Sequence, residues 1–170
     1  MMMMQAQNVL KIIQMLASVG VQLWLDGGWG VDALLGRQTR EHSDVDVVIR
    51  LDQVGLVRRS LEDADYTMVE DELPTRFVMQ HTSGLSIDFH PVYFDDQGDG
   101  IQQLQDGTPF HYPADGFAGH GTISGVTVPC VTAEAQLLCH LGYEPTARDQ
   151  RDMRLLGEAF QLSLPAQFQA

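Results

Sequence analysis

With 170 residues, 44% of them hydrophobic, the chain can bury a real core, yet no apolar run reaches the roughly 18 residues of a membrane-spanning helix. Acidic residues number 23 against 10 Lys and Arg, a formal net charge of −13, which argues against a nucleic-acid partner because neutralising phosphates takes a basic face. The same surplus suits a cationic small molecule, and a triphosphate bound against it needs a divalent metal to offset the repulsion.

Met1 to Met4 lead into polar residues without the basic, apolar and small-residue segments of a secretory leader, so a cytoplasmic protein is expected. Nothing else is assigned to the Met run. Residues 8–19 carry Val9, Ile12, Ile13, Leu16 and Val19 at helical spacing, and Gly20 ends the pattern. Residues 21–25 form a short apolar strand that runs into Asp26-Gly27-Gly28. A helix over 29–35 follows and stops at Gly36. Polar residues 37–43 lead into the β-branched run Val45-Asp46-Val47-Val48-Ile49, which reads as a central strand.

Asp52 can cap a helix to about residue 63. Strands are expected over 66–70, 76–81 and 85–93, with a turn at Thr82-Ser83-Gly84. Residues 94–120, rich in Gly, Asp, Gln and Pro, show no periodicity and read as a long loop. A hairpin over 122–130 turns at Ser124-Gly125. Thr132 can cap a helix over 133–141, and Thr146 with Asp149 has capping-box spacing before a last helix, about 147–161. Cys130 and Cys139 belong to no CxxC pair and read as buried free thiols. The order predicts an α+β fold: a mixed β-sheet with helices on one face and a short helical C-terminal part. One domain is expected over 1–170, with a catalytic core at about 8–130 and C-terminal helices at about 132–162.

Chemistry concentrates at Asp44-Val45-Asp46. On a strand, residues i and i+2 share a face, so Asp44 and Asp46 project together while Val45 points into the core. Two carboxylates that close repel each other, and a divalent cation resolves the conflict; Mg²⁺ takes oxygen ligands and completes its shell with water and phosphates. Asp88, inside the apolar run Ile87-Asp88-Phe89, can join them as a further metal ligand or as a base for an attacking hydroxyl. Gly27 and Gly28 let the backbone approach a phosphate, with N–H groups free and a helix N-terminus behind them. Arg37 and Arg40 are candidate phosphate contacts.

Each residue has a plainer alternative. Asp-x-Asp also occurs on solvated edge strands, although the flanking Val-Val-Ile favours a central one. His90 is a ligand or, preferably, a hydrogen-bonded structural histidine. His42 either orients an aspartate or contacts solvent. Trp24 and Trp29 read as packing residues, and no His and Cys spacing supports zinc.

The Gly-Gly turn followed by Asp-x-Asp and a third strand aspartate resembles the polymerase-beta-type nucleotidyltransferase superfamily. The 15 residues (29–43) between Gly28 and Asp44 are long for that superfamily but are tolerated by its small antibiotic-modifying members. Residues 23–46, the Ile87-Asp88-Phe89-His90-Pro91 strand, and residues 128–143 with Asp149 and Asp152 are similar to the small lincosamide nucleotidyltransferases, so the resemblance spans about 8–156. It implies transfer of AMP from ATP to a lincosamide hydroxyl with release of pyrophosphate. By position, Asp44 and Asp46 would bind Mg²⁺, Asp88 would be metal ligand, general base or both, and Gly27, Gly28 and Arg40 would hold phosphates. His140, Tyr143 and Asp149, with His90, are carried as substrate-pocket candidates. Residues 52–80 and 95–125 match less well. The partners implied are a nucleotide and a small antibiotic, with no nucleic acid or membrane, and a homodimer would deepen an otherwise shallow acceptor site. The alternatives are an aminoglycoside acceptor, which the net charge would welcome, and an antitoxin-like or housekeeping protein of the same fold; the intact aspartates speak against a non-catalytic one.

Overall fold

The computed structural model describes residues 2–169. Helix α1 (Ala6–Ser18) turns Val9, Ile12 and Leu16 inward, as its apolar spacing requires. Met4, just before it, is fully buried, and its N–H donates to the His42 carbonyl at 2.8 Å, so part of the Met run is core; Met1 lies outside the described residues. Strand β1 (Leu23–Asp26) is buried throughout and runs directly into α2 (Gly27–Leu35). That helix begins two residues earlier than the sequence suggested, because Asp26 caps it by accepting from the Gly27 N–H.

Strand β2 (Asp44–Arg50) leads through a 3₁₀ turn (Leu51–Gln53) to α3 (Val54–Glu62). Gln53, not Asp52, is the residue that precedes α3, since both Asp52 oxygens are taken by Arg50 at 3.0 and 2.8 Å. Strands β3 (Tyr66–Glu72), β4 (Arg76–His81) and β5 (Ser86–Phe94) follow as expected. The 94–120 stretch is not a loop. It holds β6 (Gly100–Gln103), β7 (Pro109–Tyr112), a 3₁₀ turn (Ala114–Phe117) and the start of β8 (His120–Ile123). Four-residue strands between Gly and Asp turns are too short to display a period, so pairing rather than pattern orders them. The β8–β9 (Val126–Pro129) hairpin, α4 (Ala133–Cys139) capped by Thr132, and α5 (Ala147–Phe160) with both capping-box bonds of Thr146 and Asp149 agree with the sequence.

The main sheet runs β1-β2-β5-β4-β3, with β6 and β7 extending it from the end of β5; β2 and β5 are parallel and every other pair is antiparallel. Leu25, Val45, Val47, Ile87 and Phe89 share one face, where they pack with α1, α2 and α3 and where Phe77 stacks on Phe89 at 4.8 Å. On the other face, Trp24, Val48 and Val92 pack under Tyr112 and the α4 residue Ala135. The carboxylates lie on that second face, next to this smaller cluster.

Candidate active site

Register brings the acidic residues together. Asp26 of β1 pairs with Asp46 of β2, and Asp46 pairs with Asp88 of β5, so three carboxylates stand in one row across three strands. Asp44 is two residues from Asp46 on the same face, and Val45 points into the core as its 1% exposure requires. The parallel β2–β5 pairing is what makes a third aspartate 42 positions away a neighbour of the pair.

The charges are out of balance. Burial, then the neighbouring Asp46 and Asp88, raises Asp44 above the ordinary carboxylate range. Burial likewise raises Asp88 against the opposing pull of His90 and Arg76, and it raises the nine-tenths-buried Asp26. His90 Nε2 lies 3.1 Å from Asp46 Oδ1 and 3.9 Å from Asp88 Oδ1. Burial opposes its charge, but the Asp46 hydrogen bond and the charges of Asp46, Asp88 and Asp26 win, lifting it to about 9. Carboxylates held above their normal values mark a site short of positive charge, which a cation would supply. Ligand atoms of Asp46, Asp88 and His90 lie within 4.8 Å of one another, so the residues fit a divalent metal, with Asp44 beside them. Arg76 grips both Asp88 oxygens at 3.2 and 3.1 Å and is itself braced by Glu70 at 2.7 Å.

Gly27 has φ +57°, a conformation that favours glycine, and any Cβ there would collide with the Asp46 carboxylate. Its N–H is not free for a ligand, as the sequence had suggested, but is given to Asp26 at 2.8 Å. Gln136 of α4, fully buried, donates to the Gly27 carbonyl at 3.2 Å and ties the C-terminal helices to the turn. A Cβ on Gly28 would collide with Arg40 and His42. Arg40 is already paired with Asp152 at 2.9 Å. Among the described residues His42 makes no hydrogen bond to the aspartates proposed as ligands, although its charge bears on Asp44; it is buried against Asp32, 2.6 Å away, and its ring lies against Trp29.

A cleft of about 320 Å³, on the scale of small-ligand sites, gathers Asp44, Asp46, Gly27, Gly28, Arg40, His90, His140, Tyr143 and Asp149. Asp88 is not part of that wall and meets the cluster through Asp46 and His90. Arg37 lies outside it. His140 Nδ1 is 2.6 Å from the Gln136 carbonyl and its Nε2 is 3.7 Å from Asp149, which also caps α5. Asp26, His42, Arg148 and Asp152 line the same cleft. Of these, Asp26 carried a signal, a carboxylate at the strand end before Gly27, but its register with Asp46 is a tertiary fact. Cys130 and Cys139 are free thiols, as expected, but only Cys130 is buried; Cys139 is half-buried on the cleft wall.

A carboxylate pair on one strand, a third on its parallel neighbour, and a helix launched from Gly-Gly beside them make this a nucleotidyltransferase of the polymerase-beta type. More closely, residues 8–156 match the sequence profile of the aminoglycoside-2''-adenylyltransferase family, and the chain belongs to that family. It is 34% identical over 150 residues to a lincosamide resistance protein of Staphylococcus haemolyticus, covering 88% of this chain and 92% of the relative. It is 31% identical over 135 residues to a 2''-aminoglycoside nucleotidyltransferase of Klebsiella pneumoniae, covering 78% and 72%. The lincomycin-bound crystal structure of the lincosamide antibiotic adenylyltransferase LnuA superposes with a TM-score of 0.78 at 33% identity, covering 88% of this chain and 94% of that one. The family implies a nucleoside triphosphate substrate and a divalent metal, which the acidic cluster fits. No helix among the described residues is long and apolar enough to cross a membrane.

Proposed function

We propose that the chain is a single-domain cytoplasmic enzyme that transfers AMP from ATP to a hydroxyl of a lincosamide, releasing pyrophosphate, with Mg²⁺ as the metal. The observation that carries this reading is the convergence of Asp44, Asp46 and Asp88 beside the Gly27-Gly28 helix start, in a chain alike over most of its length to lincosamide-modifying proteins. Asp44, Asp46 and Asp88 hold the metal, which when bound offsets charge on the phosphates and polarises the reacting phosphorus. The chain's own residues do the remainder. Gly27 and Gly28 leave room for the triphosphate against the α2 N-terminus, and Arg40 adds positive charge there. Asp88 also accepts the proton of the acceptor hydroxyl as it attacks. His140 and Tyr143 border the acceptor's place, Asp149 orients His140, and His90 stays between Asp46 and Asp88. A second copy packed over the exposed Leu138, Leu141 and Tyr143 would deepen the acceptor site.

An aminoglycoside acceptor is the second reading, favoured by the −13 charge and the family profile. One experiment separates them. The protein is incubated with Mg-ATP and a panel of lincosamides and aminoglycosides, and products are weighed for an added AMP. Lincosamide adducts are expected; adducts on aminoglycosides alone would replace the acceptor, and none on any compound would reject antibiotic modification.

A further inference from the structure

Gln136 of α4 is a polar side chain buried completely, at 0% exposure, and only half of its amide is satisfied. The nitrogen donates to the Gly27 carbonyl at 3.2 Å, while the oxygen has no hydrogen-bond partner among the described residues. A carbonyl only accepts, so turning the amide round would lose the bond to Gly27. Buried amide oxygens are nearly always paired, and one left alone lowers stability. A leucine or a methionine would fill the same place between α4 and α2 without that penalty. The α2 helix nevertheless makes way for the amide: a Cβ on Gly30 would come within 2.5 Å of Gln136 Nε2. A polar group kept buried although it destabilises, with space cleared for it on the neighbouring helix, points to a task at the one atom it reaches.

That atom is the carbonyl of the Gly27–Gly28 peptide. The N–H of Gly27 is already given to Asp26 at 2.8 Å. Gly28 differs. As the second residue of α2 it has no carbonyl a turn behind it to receive its N–H, and none of the described residues accepts it. A peptide group is planar and trans, so its C=O and N–H leave by opposite edges. Gln136 holds the carbonyl edge from behind the wall, and Gly28 itself lines the cleft. The donor that the sequence placed at Gly27 thus passes to Gly28, aimed by a side chain from the C-terminal helices. Its surroundings name the ligand class. Arg40 Nη2 is the atom nearest to a Cβ built on Gly28, so a free N–H, a guanidinium and the positive end of α2 meet there, and all favour an anion.

Resting on the nucleotidyltransferase reading above, we propose that Gln136 is a positioning residue: it holds the Gly27–Gly28 peptide so that the Gly28 N–H is presented to a phosphate oxygen of the bound nucleotide. Gln136 itself touches no substrate.

Gln136→Met tests this. Methionine matches the length of glutamine but has no donor for Gly27, and the main-chain carbonyl that receives the His140 Nδ1–H at 2.6 Å is unchanged. The unliganded melting temperature should equal or exceed that of the wild type, because the unpaired oxygen goes with the amide. Affinity for magnesium α,β-methylene-ATP, a non-hydrolysable analogue, should fall roughly three- to tenfold in isothermal titration calorimetry, the scale of one misplaced hydrogen bond. KM for ATP should rise in step while KM for the lincosamide stays put. A residue that only packs α4 on α2 would move neither nucleotide value. Equal nucleotide affinity in both proteins, or a loss shared with the lincosamide, overturns the role of Gln136 alone. Failure of the wild type to bind the analogue overturns the nucleotide reading with it. Should Gln136→Met not fold, ¹H–¹⁵N spectra of the glycine-labelled wild type decide: the Gly28 amide must move downfield as the analogue saturates, and an unmoved resonance overturns the contact.

Discussion

At the β5 end of the carboxylate row, Asp88 already has a cation: Arg76 binds both its oxygens, at 3.2 and 3.1 Å. At the β1 end, Asp26 has no such partner and leans on the Gly27 N–H at 2.8 Å and on Tyr112 Oη, 3.4 Å away. Between them Asp46 has, among the described residues, only the shared His90. Three aspartates on one face thus differ in how their charge is met, and the middle one, beside Asp44, has most to gain from a metal. The comparison teaches that the row is not one uniform acidic patch but a graded site: an oriented end, an open centre and a structural end.

Substitutions along the row break that gradient in order of size. Asp46→Asn removes charge and keeps shape, so AMP transfer should fall to the detection limit while circular dichroism and melting temperature stay near wild type. Normal turnover there would remove the metal assignment. Asp88→Asn should cut turnover by roughly 10² or more if Asp88 accepts the hydroxyl proton; an unchanged rate would reduce it to a bystander. Arg76→Gln leaves Asp88 in place but unsteered, and a loss of about 10–100-fold in metal affinity or activity is expected, as for other residues that orient a ligand. A loss as deep as that of Asp46→Asn would instead make Arg76 part of the reacting centre.

The structural end behaves in the opposite sense. Burial holds Asp26 above its ordinary value of 3.8, so just above that pH the folded chain keeps a proton the unfolded chain has lost, and stability falls as pH climbs through the window. Asp26→Asn removes the ionisation and keeps an oxygen for Gly27. The metal-free melting temperature at neutral pH should therefore rise in differential scanning calorimetry; a fall would show that the charge on Asp26 stabilises the helix start. Smallest of all is the effect at the thiols. Burial pushes Cys130 up to about 12 and Cys139 well above its ordinary value, so iodoacetamide near neutral pH should leave both unmodified by mass until the chain is unfolded.

The centre of this gradient and its Asp88 end were legible in the sequence; the Asp26 end and the partner that steers Asp88 were not. Asp44-Val45-Asp46 announces itself because β-branched residues fix the strand and the period of two fixes the face. Ile87-Asp88-Phe89 does the same, and Thr132 and Thr146 cap the helices their spacing predicted. Asp26, by contrast, matters through its register with Asp46, and Arg76 through its reach to Asp88 on the neighbouring strand; neither can be read from local spacing. Asp52 failed as a cap because Arg50, two residues away, offers its carboxylate a bidentate partner. Strands β6 and β7 escaped notice because antiparallel pairing, not alternation, holds segments of four residues in place. His42 was legible as a residue beside the aspartates, but its partner Asp32, ten positions back on α2, was not.

The most direct measurement is Mn²⁺ binding followed by electron paramagnetic resonance, with a non-hydrolysable ATP analogue present, on the wild type, Asp46→Asn and Asp88→Asn. Mn²⁺ should bind the wild-type chain, with affinity at least about tenfold weaker in each variant. Equal binding in all three proteins would contradict a metal held by this row of carboxylates.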